Sequence, residues 1–308
     1  MAHHHLKRVV AACAALCAAA AGAETLPVGG VYPAGSDAAA ALGSIAVERF
    51  GGADGEQLGI AVADKLRAVT IDGEPYFRIV PARSSSEVDA VLQGTATAEV
   101  GRRDAGTRED EVCVERDEDR KCVRREKQKI PCWNQVVRLD ASVRLVAIEG
   151  DLLHAFDRGD EQSQRYCEGD SRPSSEGMVR QLVTRYADGL RGELAPIQRF
   201  EDVRVMESRD DLSRADGRAF REAVRLTKTD GGAACAAWSA LEVANPSHVG
   251  VLFNLGLCAE SEGRLDDAYR YYERALAVDD DSNYAGQGVR RIEDRRRADE
   301  QLARQRGL

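Results

Sequence analysis

The chain has 308 residues, a formal net charge of −9, 31% charged side chains and only 5% aromatic ones. That acidic balance argues against nucleic acid as a partner, because a phosphate backbone requires a clustered positive face. Arginine and alanine are abundant, which we read as coding bias, and the length suits two modest domains because single cores stop growing near this size.

His3, His4, His5, Lys7 and Arg8 precede an apolar run over 9–21, and Ala21-Gly22-Ala23 offers small residues for a cut before Glu24. This is the three-part pattern of a secretory signal over 1–23, with cleavage near Ala23. The run is shorter than the roughly 20 apolar residues that span a bilayer, and no later segment is apolar enough to cross as a helix. Val10-Ala11-Ala12-Cys13 resembles a lipidation box, but almost nothing apolar precedes Cys13. The expected location is periplasmic or secreted, with outer-membrane association left open. Cys13 and Cys17 leave with the leader. Six cysteines remain, Cys113, Cys122, Cys132, Cys167, Cys235 and Cys258, and an even number in an exported chain implies three disulfides.

Residues 24–42 are rich in Gly, Ala and Pro and read as a flexible lead-in. An α/β domain is expected over 43–208. SIAVERF (44–50) alternates like a strand and runs into Gly51, Gly52 and Gly55; from Glu56 the apolar residues recur at helical spacing. YFRIV (76–80) reads as a second strand, Ser84–Ser86 as the cap of one helical turn, and 88–100 as a third strand. Gly94 within that strand marks a bulge or a close backbone approach.

Over 135–148 the residues Val137, Leu139, Ala141, Val143, Leu145 and Ala147 share one face, and Glu149-Gly150 makes a two-residue turn into a returning strand. A tight turn there sets Val143 opposite Phe156, Leu145 opposite His154 and Ala147 opposite Leu152. The same register sets Cys132 opposite Cys167, which predicts a bridge, with a bulge allowed over so long a ribbon. Cys113 and Cys122 flank the charged tip VERDEDRK and predict a second bridge, stapling a hairpin that has little core of its own. Zinc would need closer paired spacings such as C-x2-C, and none occurs. GMVRQLVTRYADGLRGEL (177–194) predicts an amphipathic helix presenting Met178, Leu182, Tyr186 and Leu190, followed by an edge strand over 197–205 and a charged linker near 210.

From 213 to 306 the pattern is helical. Residues 220–229 and 233–244 form one hairpin, 249–281 a second, and 285–306 a charged closing helix with Val289 and Ile292 as its apolar contacts and a solvated outer face. The second hairpin carries Leu252, Leu255, Gly256, Gly263, Ala268, Tyr272 and Ala275. This stretch resembles one tetratricopeptide (TPR) unit, a module that presents a surface and works with stacked neighbours, and the resemblance implies that the small residues sit where two helices cross. The resemblance implies that the first helix of the unit lines a groove, so Asn254, Glu260 and Arg264 are its candidate partner contacts, each also readable as a plain solvent-facing residue. Cys235 and Cys258 fall on helices that neighbour each other in stacked repeats, which predicts the third bridge.

Taken together, SIAVERF, YFRIVPA, DAVLQGTAT and VRLDASVRLVAIEGDLLHAF make residues 44–207 similar to the periplasmic α/β domain of curli-secretion (CsgG-like) proteins, the TolB amino-terminal domain and activators of peptidoglycan synthases. The resemblance implies an envelope role in assembly without enzymatic activity. The curli channel proteins place membrane-spanning strands where this chain has 104–130. A lipid-facing strand is apolar on its outer face over about ten residues, and this densely charged insertion is not, so pore formation is not expected.

Candidate chemistry is sparse. His154 reads as a satisfied core histidine and His248 as a loop residue beside Pro246; with the six cysteines bridged no thiol nucleophile remains. Gly51-Gly52-Ala53-Asp54-Gly55 lacks a phosphate-binding pattern and reads as a turn, and Asp266-Asp267 and Asp279-Asp280-Asp281 read as solvated carboxylates. The expected fold class is α+β: a mixed-sheet α/β domain followed by an all-α TPR-like domain. The expected function is a non-enzymatic scaffold or binding protein for envelope proteins or peptides, without cofactor or metal. A ring-forming subunit of an export assembly, hence a homo-oligomer, is the alternative, and an unrecognised envelope hydrolase is a third.

Overall fold

The computed structural model describes residues 24–81 and 88–307. The leader, Cys13 and the cap at Ser84–Ser86 lie outside them. The elements follow the chain as β1 (Thr25–Tyr32), α1 (Asp37–Ala40), β2 (Ser44–Val47), α2 (Gly55–Arg67), β3 (Thr70–Ile71), β4 (Glu74–Pro75) and β5 (Arg78–Pro81). There follow β6 (Ala90–Arg116), β7 (Cys122–Ala147), β8 (Leu152–Cys167), α3 (Ser175–Leu194) and β9 (Ile197–Arg204). Five helices complete the described chain: α4 (Arg214–Leu226), α5 (Gly231–Ala244), α6 (Val249–Ser261), α7 (Leu265–Val278) and α8 (Asn283–Gln305). The fold is α+β. Two compact units emerge, one of residues 29–201 with 287–307, the other of 24–28 with 202–286.

In the first unit a five-stranded sheet runs in the order β5-β2-β6-β7-β8, with β5, β2 and β6 parallel and β6, β7 and β8 antiparallel. One face carries the core. Val137, Leu139, Val143 and Leu145 meet Leu58, Val62 and Leu66 of α2 and Leu182, Tyr186 and Leu190 of α3. The other face stays polar, as an antiparallel sheet with one solvated face allows. Ser174 caps α3 by accepting from the Gly177 N–H at 3.1 Å. Gly94 marks a close approach: a Cβ there would lie 2.8 Å from the Phe50 ring. The GGADG segment is a turn, with Gly52 at φ 85° and the Asp54 carboxylate accepting from the Ala98 N–H at 2.7 Å.

The β7–β8 register pairs Cys132 with Cys167, Val143 with Phe156 and Leu145 with His154. It slips at the turn, where a bulge sets Val146 opposite Leu152, so Ala147 and Leu152 do not pair and Leu152 is exposed. The three bridges are Cys113–Cys122, Cys132–Cys167 and Cys235–Cys258.

Two expectations are corrected. Residues 24–42 are not a loose lead-in. Ser36 caps α1, Ala39 and Ala40 are fully buried, and Gly35 and Ser36 donate to the carbonyls of Gly192 and Glu193 at the end of α3. Small residues here permit close packing where composition alone suggested slack. The outer face of the closing helix is not simply solvated. Gln301 brackets Ala34, accepting from its N–H at 2.8 Å and donating to its C=O at 3.1 Å, while Arg297 donates to Asp37 at 3.0 Å. Residues 287–307 accordingly belong to the α/β unit and not to a helical domain over 213–306. β9 pairs with β1 in a separate two-stranded sheet and is an edge strand there, as its pattern predicts.

Candidate functional site

The second unit is built from two helical hairpins, α4/α5 and α6/α7. Ser213 and Asp230 cap α4 and α5 through their side chains, which holds otherwise orphaned N–H groups. Its core is aromatic: Phe220, Trp238, Phe253 and Tyr272 are fully buried. Leu252, Leu255, Ala268 and Ala275 are buried with them, and Gly263 turns the chain at φ 76°. Gly256 sits against Tyr272, where a Cβ would lie 2.5 Å from the ring. The Cys235–Cys258 bridge ties α5 to α6 and so locks one hairpin to the next.

Two of the three residues expected to line a groove are buried instead. Asn254 is 0% exposed, and its side-chain amide grips the main chain of Met206, accepting from the N–H at 2.8 Å and donating to the C=O at 3.0 Å. Glu260 is 1% exposed and accepts from the Tyr272 hydroxyl at 2.6 Å. Arg264 stays near the surface, donating to Glu262 and Asp267 at 2.6 Å. Those two carboxylates push its guanidinium pKa up, and Arg264 together with Arg270 holds the Asp267 carboxyl below the usual range.

His248 has a structural role that spacing did not reveal. Its Nδ1 caps α6 by accepting from the Val251 N–H at 3.2 Å, and its Nε2 lies 2.8 Å from the Asp210 carbonyl. Both bonds are made at once only by the neutral Nε2–H tautomer. A strap over 205–211 is thus laid along α6 and held by its backbone. The Val205 N–H completes it by donating to the Glu24 carbonyl at 3.0 Å. A charged-linker pattern gave no sign that these residues pack, because the contacts run through main-chain atoms.

Beside the strap lies an open depression of about 820 Å³, with Val278 and Tyr284 half exposed in its wall and Asp210, Asp211 and Asp279 around it. In the α/β unit, His154 lies opposite Leu145 as its spacing predicts. Its Nε2 is 3.8 Å from Glu193 and makes no hydrogen bond among the described residues, so it is not the satisfied core histidine expected. Burial pushes the phenols of Tyr76, to about 12, and Tyr186 upward; each donates a hydrogen bond to a carbonyl, of Ala40 and Phe156 respectively. Among the described residues no helix is long and apolar enough to cross a membrane, and no group of three or more His, Cys, Asp or Glu is placed to hold a metal ion.

Residues 249–282 match the tetratricopeptide repeat family. No curated protein matches the chain. Among solved structures the chain is similar to a variant PelC dodecamer from Paraburkholderia phytofirmans, at 16% identity and a TM-score of 0.23, covering 56% of this chain and 98% of that one. A second PelC dodecamer from the same organism gives 15% identity and a TM-score of 0.23, covering 54% and 96%.

Proposed function

We propose that this chain is a non-enzymatic protein of an oxidising, extracytoplasmic compartment, which binds or scaffolds other envelope proteins through its helical unit. The observation that carries this reading is how α6 holds a strap by its main chain. Asn254 takes both polar groups of Met206 and His248 takes the carbonyl of Asp210, contacts that read main chain and ignore side-chain identity. A surface that already holds one segment by its backbone is suited to holding another alongside. The depression beside the strap supplies the place: the exposed apolar Val278 and Tyr284 within an acidic surround fit a partner segment carrying an apolar side chain next to a lysine or arginine. Three disulfides support an oxidising location. The likeness of residues 44–207 to periplasmic α/β domains supports the envelope.

The test is partner capture from envelope extracts of the native host, comparing the wild-type chain with a Val278→Glu, Tyr284→Glu double variant. Both side chains are about half exposed, so the variant is expected to fold. Loss of the captured partner is the expected result, and unchanged recovery rejects the depression as the docking site. Turnover of any cell-wall substrate by the purified chain would reject the non-enzymatic part of the reading.

A further inference from the structure

The hairpin of β6 and β7 outruns the sheet it belongs to. β2 pairs with β6 only over residues 90–92, and β8 leaves β7 at Cys132, yet β6 and β7 stay paired out to Arg116 and Cys122. The distal ribbon therefore has two free edges, residues 107–116 on β6 and 122–130 on β7. At 3.3–3.4 Å per residue each edge is about 30 Å long. A lone two-stranded ribbon is marginal in water. This one is stapled by Cys113–Cys122 and anchored at its base by Arg108, which donates to Asp110 and Asp170.

Free edges invite pairing with another chain, and proteins commonly blunt them with charge. Here the charges are sorted by arm. The β6 arm carries Glu109, Asp110, Glu111 and Glu115 against Arg108 and Arg116, and that Arg108 is already occupied by carboxylates. The β7 arm carries Arg124, Arg125, Lys127 and Lys129 against Glu126 alone. The register faces Glu109 with Lys129 and Glu111 with Lys127. None of these four makes an ion pair within 4 Å among the described residues, whereas Arg124 pairs with both Glu115 and Glu126. Like edges from two copies repel, while an acidic edge meeting a basic one is attracted. Two ribbons pointing the same way bring β7 of one beside β6 of the next in antiparallel sense, the sense the two strands already have within one chain.

We propose that the ribbon is a self-association surface, the acidic 107–116 edge of one copy pairing with the basic 122–130 edge of a second copy. Such an interface is heterologous, so each copy keeps one edge free for the next and association continues from copy to copy. Screening by salt weakens it. The inference gives the scaffold reading a physical basis, but it is measured on the purified chain alone, so its failure leaves the partner-capture result standing and the reverse also holds.

The test uses full-length chain in low salt, with mass read by light scattering and sedimentation. Wild type is expected to run above the monomer and to fall to it in high salt. A Glu109→Lys, Glu111→Lys variant makes both arms basic, and a Lys127→Glu, Lys129→Glu variant makes both acidic; each alone is expected to be monomeric. Their equimolar mixture is expected to associate again, because each basic arm then meets an acidic one. Restoration by mixing distinguishes pairing between copies from ion pairs inside one ribbon, which mixing leaves unchanged. Free-thiol counts and circular dichroism confirm that both variants are folded and stapled. A monomeric wild type at the highest attainable concentration overturns the proposal, as do variants that associate like wild type or a mixture of folded variants that stays monomeric.

Discussion

Asn254 shows how one polar side chain decides whether a segment is linker or structure. It is fully buried, and both ends of its amide are spent on Met206. Replacing it with alanine leaves the part-buried Met206 N–H and C=O without their partner, at a cost of about 1–3 kcal/mol where water does not replace it. An Asn254→Ala chain is expected to unfold at lower denaturant and to be cut by protease within 205–211; wild-type resistance in both assays would count against a held strap. Gly256 is the steric counterpart. A methyl group there meets the Tyr272 ring, and overpacking of this kind costs about 1–3 kcal/mol. Gly256→Ala should therefore lower the denaturation midpoint, whereas the same change at Gly192, with nothing within 4 Å of its added Cβ, should not. The glycine and the buried tyrosine were legible through the resemblance to a tetratricopeptide unit. Asn254 and Glu260 were not, since an asparagine facing a groove and one bonded to its own backbone look identical in a helical pattern.

Among the elements, the β6–β7–β8 meander was the most legible, for a physical reason. Side-chain period two and one turn fix a register, and two cysteines then fall opposite each other, as Cys132 and Cys167 do. The bulge between Leu145 and Val146 was not readable, because it exchanges exposed positions at the turn and leaves the apolar face from Val137 to Leu145 untouched. The ribbon's base offers a pH test. Arg108, and then the Cys167 N–H, hold the Asp170 carboxyl below its ordinary value of 3.8. A depressed folded value means that the contribution is complete above 3.8 and is lost as pH falls through the lower folded value. An NMR titration of Asp170 is expected to show its midpoint rising toward 3.8 in Arg108→Ala; an unmoved midpoint would remove Arg108 as the cause. Polar anchoring of this sort, like the Arg297 and Gln301 contacts that order residues 34–37, leaves no periodic trace and so escapes a reading based on hydrophobic pattern.

For the whole molecule, covalent cross-links reach places that apolar burial serves unequally, and this makes their order of opening predictable. The α/β core is large and continuous, and Cys132 and Cys167 in that unit are 0% and 3% exposed. Cys113 and Cys122 lie near the tip of a ribbon whose side chains are mostly solvent-facing, so burial contributes little there and the bridge does more of the holding. Cys258, on α6 of the second hairpin, is buried while Cys235 is partly open. Thiol–disulfide exchange needs an attacking thiolate to reach a sulfur, so access sets the sequence of events when the fold stays intact. Graded reduction followed by alkylation and peptide mass mapping is expected to open Cys113–Cys122 first and Cys132–Cys167 last. The bridge between the helical hairpins spans 23 positions, and in the chain-entropy account its loss costs about 3 kcal/mol. Its reduction should therefore lower the unfolding temperature of the helical unit before the α/β unit responds. If Cys132–Cys167 opens first instead, the access seen in one chain does not set the order. Repeating the reduction in high salt then separates a second copy, which salt releases, from a fault in the fold itself.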